Sequence, residues 1–145
     1  MAARGLAGLS GYVPGPEAVR ASILAGTNIF GEPGCILMRR VVFERVGGWD
    51  ERFPYLIDQA SYSRVMMQGG MVAINAVLAS FRISATQWSV RLVQQQSSQA
   101  IAFHEDFFAS YPGLLSSGDL RRGNRRAKWM AYVRRLAYLW LRRRM

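Results

Sequence analysis

Residues 47–70, GGWDERFPYLIDQASYSRVMMQGG, decide how the rest of this chain is read. A glycine pair stands at each end, and glycine takes the left-handed backbone that closes a helix without a steric cost. Between the pairs, an apolar run (FPYLI) gives way to Asp58, and Tyr62, Val65 and Met66 then recur at helical spacing. The pattern predicts a helix from Asp58 to Gln68 and puts a lone carboxylate at its start. The residues alone leave two readings of Asp58 open: a helix cap, which needs only a side-chain oxygen for free backbone N–H groups, or a reactive acid.

Outward from this stretch, VVFERV at 41–46 predicts a short helix ended by Gly47 and Gly48. CILM at 35–38 predicts a short buried strand after the turn GEPG, with Cys35 as a buried reduced thiol. Residues 1–34 are rich in Gly, Pro and Ala and hold one predicted helix, from Pro16 to about Leu24. MVAINAVLASFRIS at 71–84 is β-branched and apolar enough for one strand or two short ones. A long helix is predicted from Ser89 to Ser110, and a last one from Arg125 to Arg144 after the loop GLLSSGD. The order is mixed α/β, with a mostly helical carboxyl-terminal region, and lacks the alternation of a complete doubly wound sheet.

Composition bounds the function. The chain has 145 residues, half of them hydrophobic, enough for a core and too few charges for a disordered coil. One cysteine excludes a disulfide framework or a cysteine metal cluster. The amino terminus shows no signal-peptide core, because Gly and Pro interrupt its apolar run, and no apolar run approaches the roughly 20 residues a spanning helix needs. A cytoplasmic chain, peripheral at a membrane, is the expectation. The formal charge is +10, and ten of the nineteen bases lie between Arg121 and Arg144 with no acid after Asp119. That segment expects an anionic partner.

The order NIFGEPG (28–34), CILMRR, VFERVGGWDERF, an Asp at a helix start, then Arg64, a glycine pair and AINAVLASFR resembles the carboxyl-terminal half of family 2 glycosyltransferases with the GT-A fold. The resemblance covers about Asn28 to Ser89. It implies a partial GT-A domain over residues 1–88, the acceptor side, followed by a helical extension over 89–145. It implies Asp58 as the catalytic base of an inverting transfer from a nucleotide-sugar to a hydroxyl acceptor, with Gly31, Gly34, Trp49 and Arg64 walling the acceptor pocket. No stretch before Gly34 supplies the donor-binding half with its paired aspartates, so a partner chain carrying that half is expected. No cofactor is expected within this chain; the family implies a divalent metal, Mg or Mn, for the complete enzyme. Where that family often has a second acid before the base, this chain has Ile57.

Three side issues complete the reading. His104, Glu105 and Asp106 are adjacent on a helix and point apart, so no metal site is expected of them. For Gly47 to Asp50 a helix stop, a buried indole and an Asx turn compete with acceptor contact. The basic helix carries Trp129, Val133, Leu136, Ala137 and Trp140 at helical spacing. Trp129, Arg134, Arg135, Trp140, Arg142 and Arg143 are therefore the expected contacts to an anionic membrane surface. The alternatives are docking of that apolar face on the domain and nucleic-acid binding, the latter disfavoured for want of a stacking platform. From another functional class, the chain reads as a non-catalytic basic module that binds an anionic surface.

Overall fold

A computed structural model describes Leu6, residues 8–79 and residues 92–142, the side chains of 93 and 137–142 excepted. In chain order it contains β1 (Gly11–Pro14), α1 (Gly15–Ala25), a 3-10 turn (Pro33–Cys35), α2 (Arg40–Arg45), α3 (Ile57–Met66), β2 (Gly70–Ala73), a second 3-10 turn (Val93–Gln95), α4 (Gln96–Ser110) and α5 (Ser117–Arg142). The architecture is mixed α/β and mostly helical, with one small antiparallel sheet.

The sheet pairs Gly11 with Ala73 and Pro14 with Gly70. Because strand side chains alternate, Val13 and Ala73 turn into the core while Tyr12 and Val72 face outward. α1 follows β1 directly and buries Ala18, Val19, Ser22 and Ile23. These pack with Ala60, Tyr62 and Met66 of α3, with Phe103 and Phe107 of α4, and with Ala127 of α5 in one cluster. Aromatic rings chain through it: Phe53 to Phe103 at 5.8 Å, Phe103 to Phe107 at 4.8 Å and Phe107 to Tyr111 at 5.0 Å between centroids. The 88/89 boundary drawn from the sequence falls outside the described residues.

α5 crosses α1 closely, and two glycines permit it. Gly26 ends α1 at φ +64°, and a Cβ there would meet the Ala127 backbone nitrogen at 2.4 Å. A Cβ on Gly123 would meet the Ile23 carbonyl oxygen at 2.8 Å. The docked face of α5 is a row of small residues, Gly123, Ala127 and Ala131, all buried.

Four expectations need correction. CILM is not a strand: Cys35 N–H donates to Glu32 O at 2.8 Å in a turn started by Pro33, and no strand pairs with the segment among the described residues. Cys35 is accordingly exposed, and Leu37 fully so. Of the strand or strands expected over 71–84, β2 covers Gly70–Ala73 and residues 74–79 are not strand; residues 80–84, Arg82 among them, and Ser89 lie outside the described residues. β1 was not foreseen, since a tetrapeptide bounded by Gly and Pro carries weak strand propensity. α5 begins eight residues before Arg125, because Ser116 and Asp119 form a capping box: Asp119 N–H donates to Ser116 Oγ at 3.0 Å and Ser116 N–H to Asp119 Oδ2 at 3.1 Å.

Candidate functional site

Asp58 is the second residue of α3, and the residue before the helix, Leu56, makes no side-chain cap. Its carboxylate oxygens do different things. Oδ1 accepts from the N–H of Gln59 at 2.7 Å, and Oδ2 accepts from Asn28 Nδ2 at 2.9 Å. The sequence alternatives of cap and reactive acid are therefore not exclusive: one oxygen serves the helix end while the other reaches across to the loop after α1.

That loop is tightly fixed. Asn28 Oδ1 accepts from Phe30 N–H at 2.9 Å, an Asx turn, and Asn28 Nδ2 also donates to the Gly31 carbonyl at 2.9 Å. Below it, Gln59 Nε2 donates to Ser22 Oγ at 2.7 Å, and Ser22 Oγ donates to the Thr27 carbonyl at 3.2 Å. Gln59 and Ser22 are buried, and they satisfy one another where unpaired polar groups would be costly. Gly31 thus lies beside Asp58 with its carbonyl already engaged; Gly34 sits in the exposed 3-10 turn.

Arg134 enters from α5. It donates through Nη1 to Tyr55 Oη at 3.0 Å and through Nη2 to Thr27 Oγ1. Expected as a membrane contact, it is instead half-buried and turned toward the Asp58 site, because it continues the docked face of Gly123, Ala127 and Ala131. Arg135 is likewise half-buried and donates to the Gln94 carbonyl at 3.2 Å. Trp140, Arg142 and Arg143 are positions whose side chains lie outside the described set.

The electrostatics follow from burial. Burial raises the Asp58 pKa, opposed by hydrogen bonds from Gln59 N–H and Asn28 and by the charge of Arg134. Tyr62, one turn further along α3, is fully buried, and its hydroxyl has no hydrogen-bond partner among the described residues. Burial and then the negative charges of Asp58, Glu32 and Cys35 push its pKa well up, so it stays a neutral phenol. Trp49 leans edge-on against Tyr62 at 6.1 Å and against Phe43 at 5.1 Å, and it is 45 % exposed. The buried indole considered in the sequence is in fact an open aromatic face.

Arg64 lies elsewhere. Six residues beyond Asp58 on a helix of about 100° per residue, it points to another face and pairs with Asp50 Oδ2 at 3.2 Å. Asp50 is buried; Arg52 forks onto it through Nε at 2.9 Å and Nη2 at 3.0 Å, and also reaches Asp106 at 2.9 Å and 3.0 Å. Burial alone would raise Asp50, but the Arg52 bonds and the Arg64 and Arg52 charges outweigh it and hold the carboxyl low. Arg52 N–H also donates to Asp50 Oδ1 at 3.3 Å, the Asx turn that the sequence allowed. Arg64 is therefore a strut of the fold, on a different face of α3 from Asp58. His104 lies 2.8 Å from Asn124 Oδ1 through Nδ1, so His104 and Asp106 serve separate partners.

Asn28, Thr27, Tyr55, Tyr62 and Arg134 surround Asp58; the first four were not singled out as functional in the sequence, and Arg134 was expected at a membrane surface instead. Asn28 opens the NIFGEPG motif, and the buried small-residue row of α5 is the signal that marks Arg134. Tyr55 and Tyr62 carried no signal beyond their aromatic character. Among the described residues no three of His, Cys, Asp and Glu come together to hold a metal ion. Comparison with protein-family models, curated proteins and solved structures returns no match.

Proposed function

We propose that this chain is the acceptor-side half of a GT-A glycosyltransferase of family 2 type, with Asp58 as the base of an inverting transfer. The observation that carries the reading is the Asn28–Asp58 hydrogen bond at 2.9 Å, which joins the first residue of the motif order that resembles that family to the Asp at its helix start. Each Asp58 oxygen keeps a lone pair beyond the one its N–H partner uses, so an acceptor hydroxyl has a place to donate. The acceptor oxygen bonds to the anomeric carbon as the bond from that carbon to the nucleotide diphosphate breaks. The diphosphate leaves with the electron pair, and the hydroxyl proton passes to Asp58.

The surroundings support that role. A carboxylate made more basic by burial, whose ionised form is favoured by the bonds from Gln59 N–H and Asn28 and by the charge of Arg134, suits proton abstraction. The exposed Trp49 ring offers a face on which a sugar can stack, and the Gly31 carbonyl helps to fix the Asn28 amide that holds Asp58. Donor binding belongs to a half of the fold supplied by a further segment or partner chain. Both strands of the small sheet have a side without a hydrogen-bonded neighbour among the described residues, where such a half can pair.

The test is transfer from labelled nucleotide-sugars by the chain with its candidate donor-binding partner, wild type against Asp58→Asn. A loss of about 10²–10⁴-fold is expected for removal of a general base; equal rates would remove Asp58 from the mechanism. A second readout needs no partner: soluble oligosaccharides should perturb the NMR signals of Asp58, Asn28 and Trp49, and not those of Asp50.

A further inference from the structure

Four large apolar residues of α5 face away from the protein. The helix packs through Gly123, Ala127 and Ala131, and Trp129, Tyr132, Val133 and Leu136 point nearly opposite, 55 %, 54 %, 39 % and 49 % exposed. Preceding them on the same face, at the same i, i+3, i+4 rhythm, are Arg122, Arg125 and Arg126, all exposed. None of the ion pairs among the described residues involves these three arginines. With Leu24, Ala25 and Trp129 they line an open groove of about 650 Å³. The one acid of α5, Asp119, is already bound to Arg20 at 2.8 Å.

From this we infer that the outward face of α5 is a docking surface for an anionic lipid bilayer, lying in the plane of the interface. Charge complementarity selects the occupant. Three unneutralised guanidiniums attract phosphate and carboxylate headgroups, while an aromatic and aliphatic row alongside them inserts at the acyl boundary. A second copy of the chain would bring two basic faces together. A nucleic acid would use the arginines but leave Val133 and Leu136 in water. The stretch from Arg122 to Leu136 is roughly 20 Å long at 1.5 Å per residue, and among the described residues no helix is long and apolar enough to cross a membrane. Docking this way leaves Arg134 facing inward, so lipid contact and the Asp58 site do not compete for the helix. The inference stands apart from the glycosyltransferase reading.

The experiment is co-sedimentation of the full chain with vesicles of phosphatidylcholine alone and of phosphatidylcholine with phosphatidylserine, at low and high salt. Binding is expected only to the mixed vesicles and weakens with salt. Each arginine near such a surface contributes about five-fold in partition, so Arg122→Gln/Arg125→Gln/Arg126→Gln is expected to bind on the order of a hundred-fold more weakly. Trp129→Ala/Leu136→Ala should also weaken binding, while Arg39→Gln/Arg40→Gln on the opposite part of the sequence should not; thermal melts establish that all variants fold. Equal binding by the arginine triple variant, equal binding to neutral vesicles, or single-stranded RNA displacing the vesicles would overturn the inference, as would self-association without vesicle binding.

Discussion

Asn28 Nδ2 and Asp58 Oδ2, thirty positions apart, meet at 2.9 Å and tie the loop after α1 to the first turn of α3. Asn28 uses both of its amide hydrogens and its amide oxygen there, on Asp58, on Gly31 and on Phe30. Asn28→Ala leaves those groups without it, and a loss of about 1–3 kcal/mol in stability is expected. Because one of the lost bonds favours the ionised carboxylate, the Asp58 pKa should rise further in the variant. Carboxyl-carbon NMR titration of Asp58 checks this directly; an unchanged Asp58 titration would show that the bond does not hold in solution.

Asp50 and Asp58 depend on pH with opposite sign. Asp50, pulled below 3.8 by Arg52 and Arg64 against its burial, stabilises the fold above its unfolded pKa, and that contribution disappears as pH falls through its folded value. Asp58 is raised by burial, so its contribution is complete below 3.8 and is lost as pH climbs through its folded value. Asp50→Asn should therefore cost about 1–3 kcal/mol at neutral pH, where it leaves Arg52 and Arg64 without their shared partner, and lose less than wild type on acidification. Urea unfolding of both proteins at pH 7 and pH 3 tests the sign.

What could be read from the sequence was set by local chemistry. Helices α1, α2 and α3 were legible because Pro, the glycine pairs and the apolar spacing are all local signals, and mixed α/β followed from them. The Ser116/Asp119 capping box was equally local but sat inside GLLSSGD, whose serines and glycines read as loop. Arg134 was of another kind. Ten bases crowd residues 121–144, and only the docking of the small-residue face decides that this one turns inward. The same docking decides between the two readings of the apolar face: Trp129 and its neighbours have the spacing of a core stripe, yet the close approach of α1 admits only Gly and Ala, and they face outward. Cys35 and Leu37 show the converse: in the run CILM, Ile36 and Met38 pack against the core while these two face outward, with no strand beside them among the described residues.

That close approach gives a packing test. On Gly123 a methyl group would press on the Ile23 carbonyl at 2.8 Å and on Ile23 Cγ2 at 3.0 Å. Backbone cannot yield as a side-chain tip does, so Gly123→Ala is expected to cost about 1–3 kcal/mol despite its better helix propensity. Ala131→Gly, on the same face, removes only a methyl and some helix propensity, and should keep the crossing geometry. Differential scanning calorimetry of the two variants separates the effects, and a stabilised Gly123→Ala would contradict the crossing.

His104 provides the last test, because it is the single histidine of the chain. Its ring is 1 % exposed, packs beside Phe103 at 5.7 Å, and lies 2.8 Å through Nδ1 from Asn124 Oδ1. An amide oxygen only accepts, so Nδ1 carries the hydrogen in this arrangement and Nε2 is the site left to protonate. Burial opposes that second proton and lowers the pKa below 6.5, with the Asn124 bond a smaller pull the other way. The unfolded chain then binds a proton that the native state refuses. Stability is complete above 6.5 and falls as pH drops below it, by at most about 1.4 kcal/mol per pH unit, until the folded value is passed. His104→Gln, which can still donate to Asn124, should flatten that slope whatever its effect on stability at neutral pH. Chemical denaturation between pH 7 and pH 5 reads the slope, and identical slopes in the two proteins would mean that His104 takes up its proton without unfolding the α4–α5 contact.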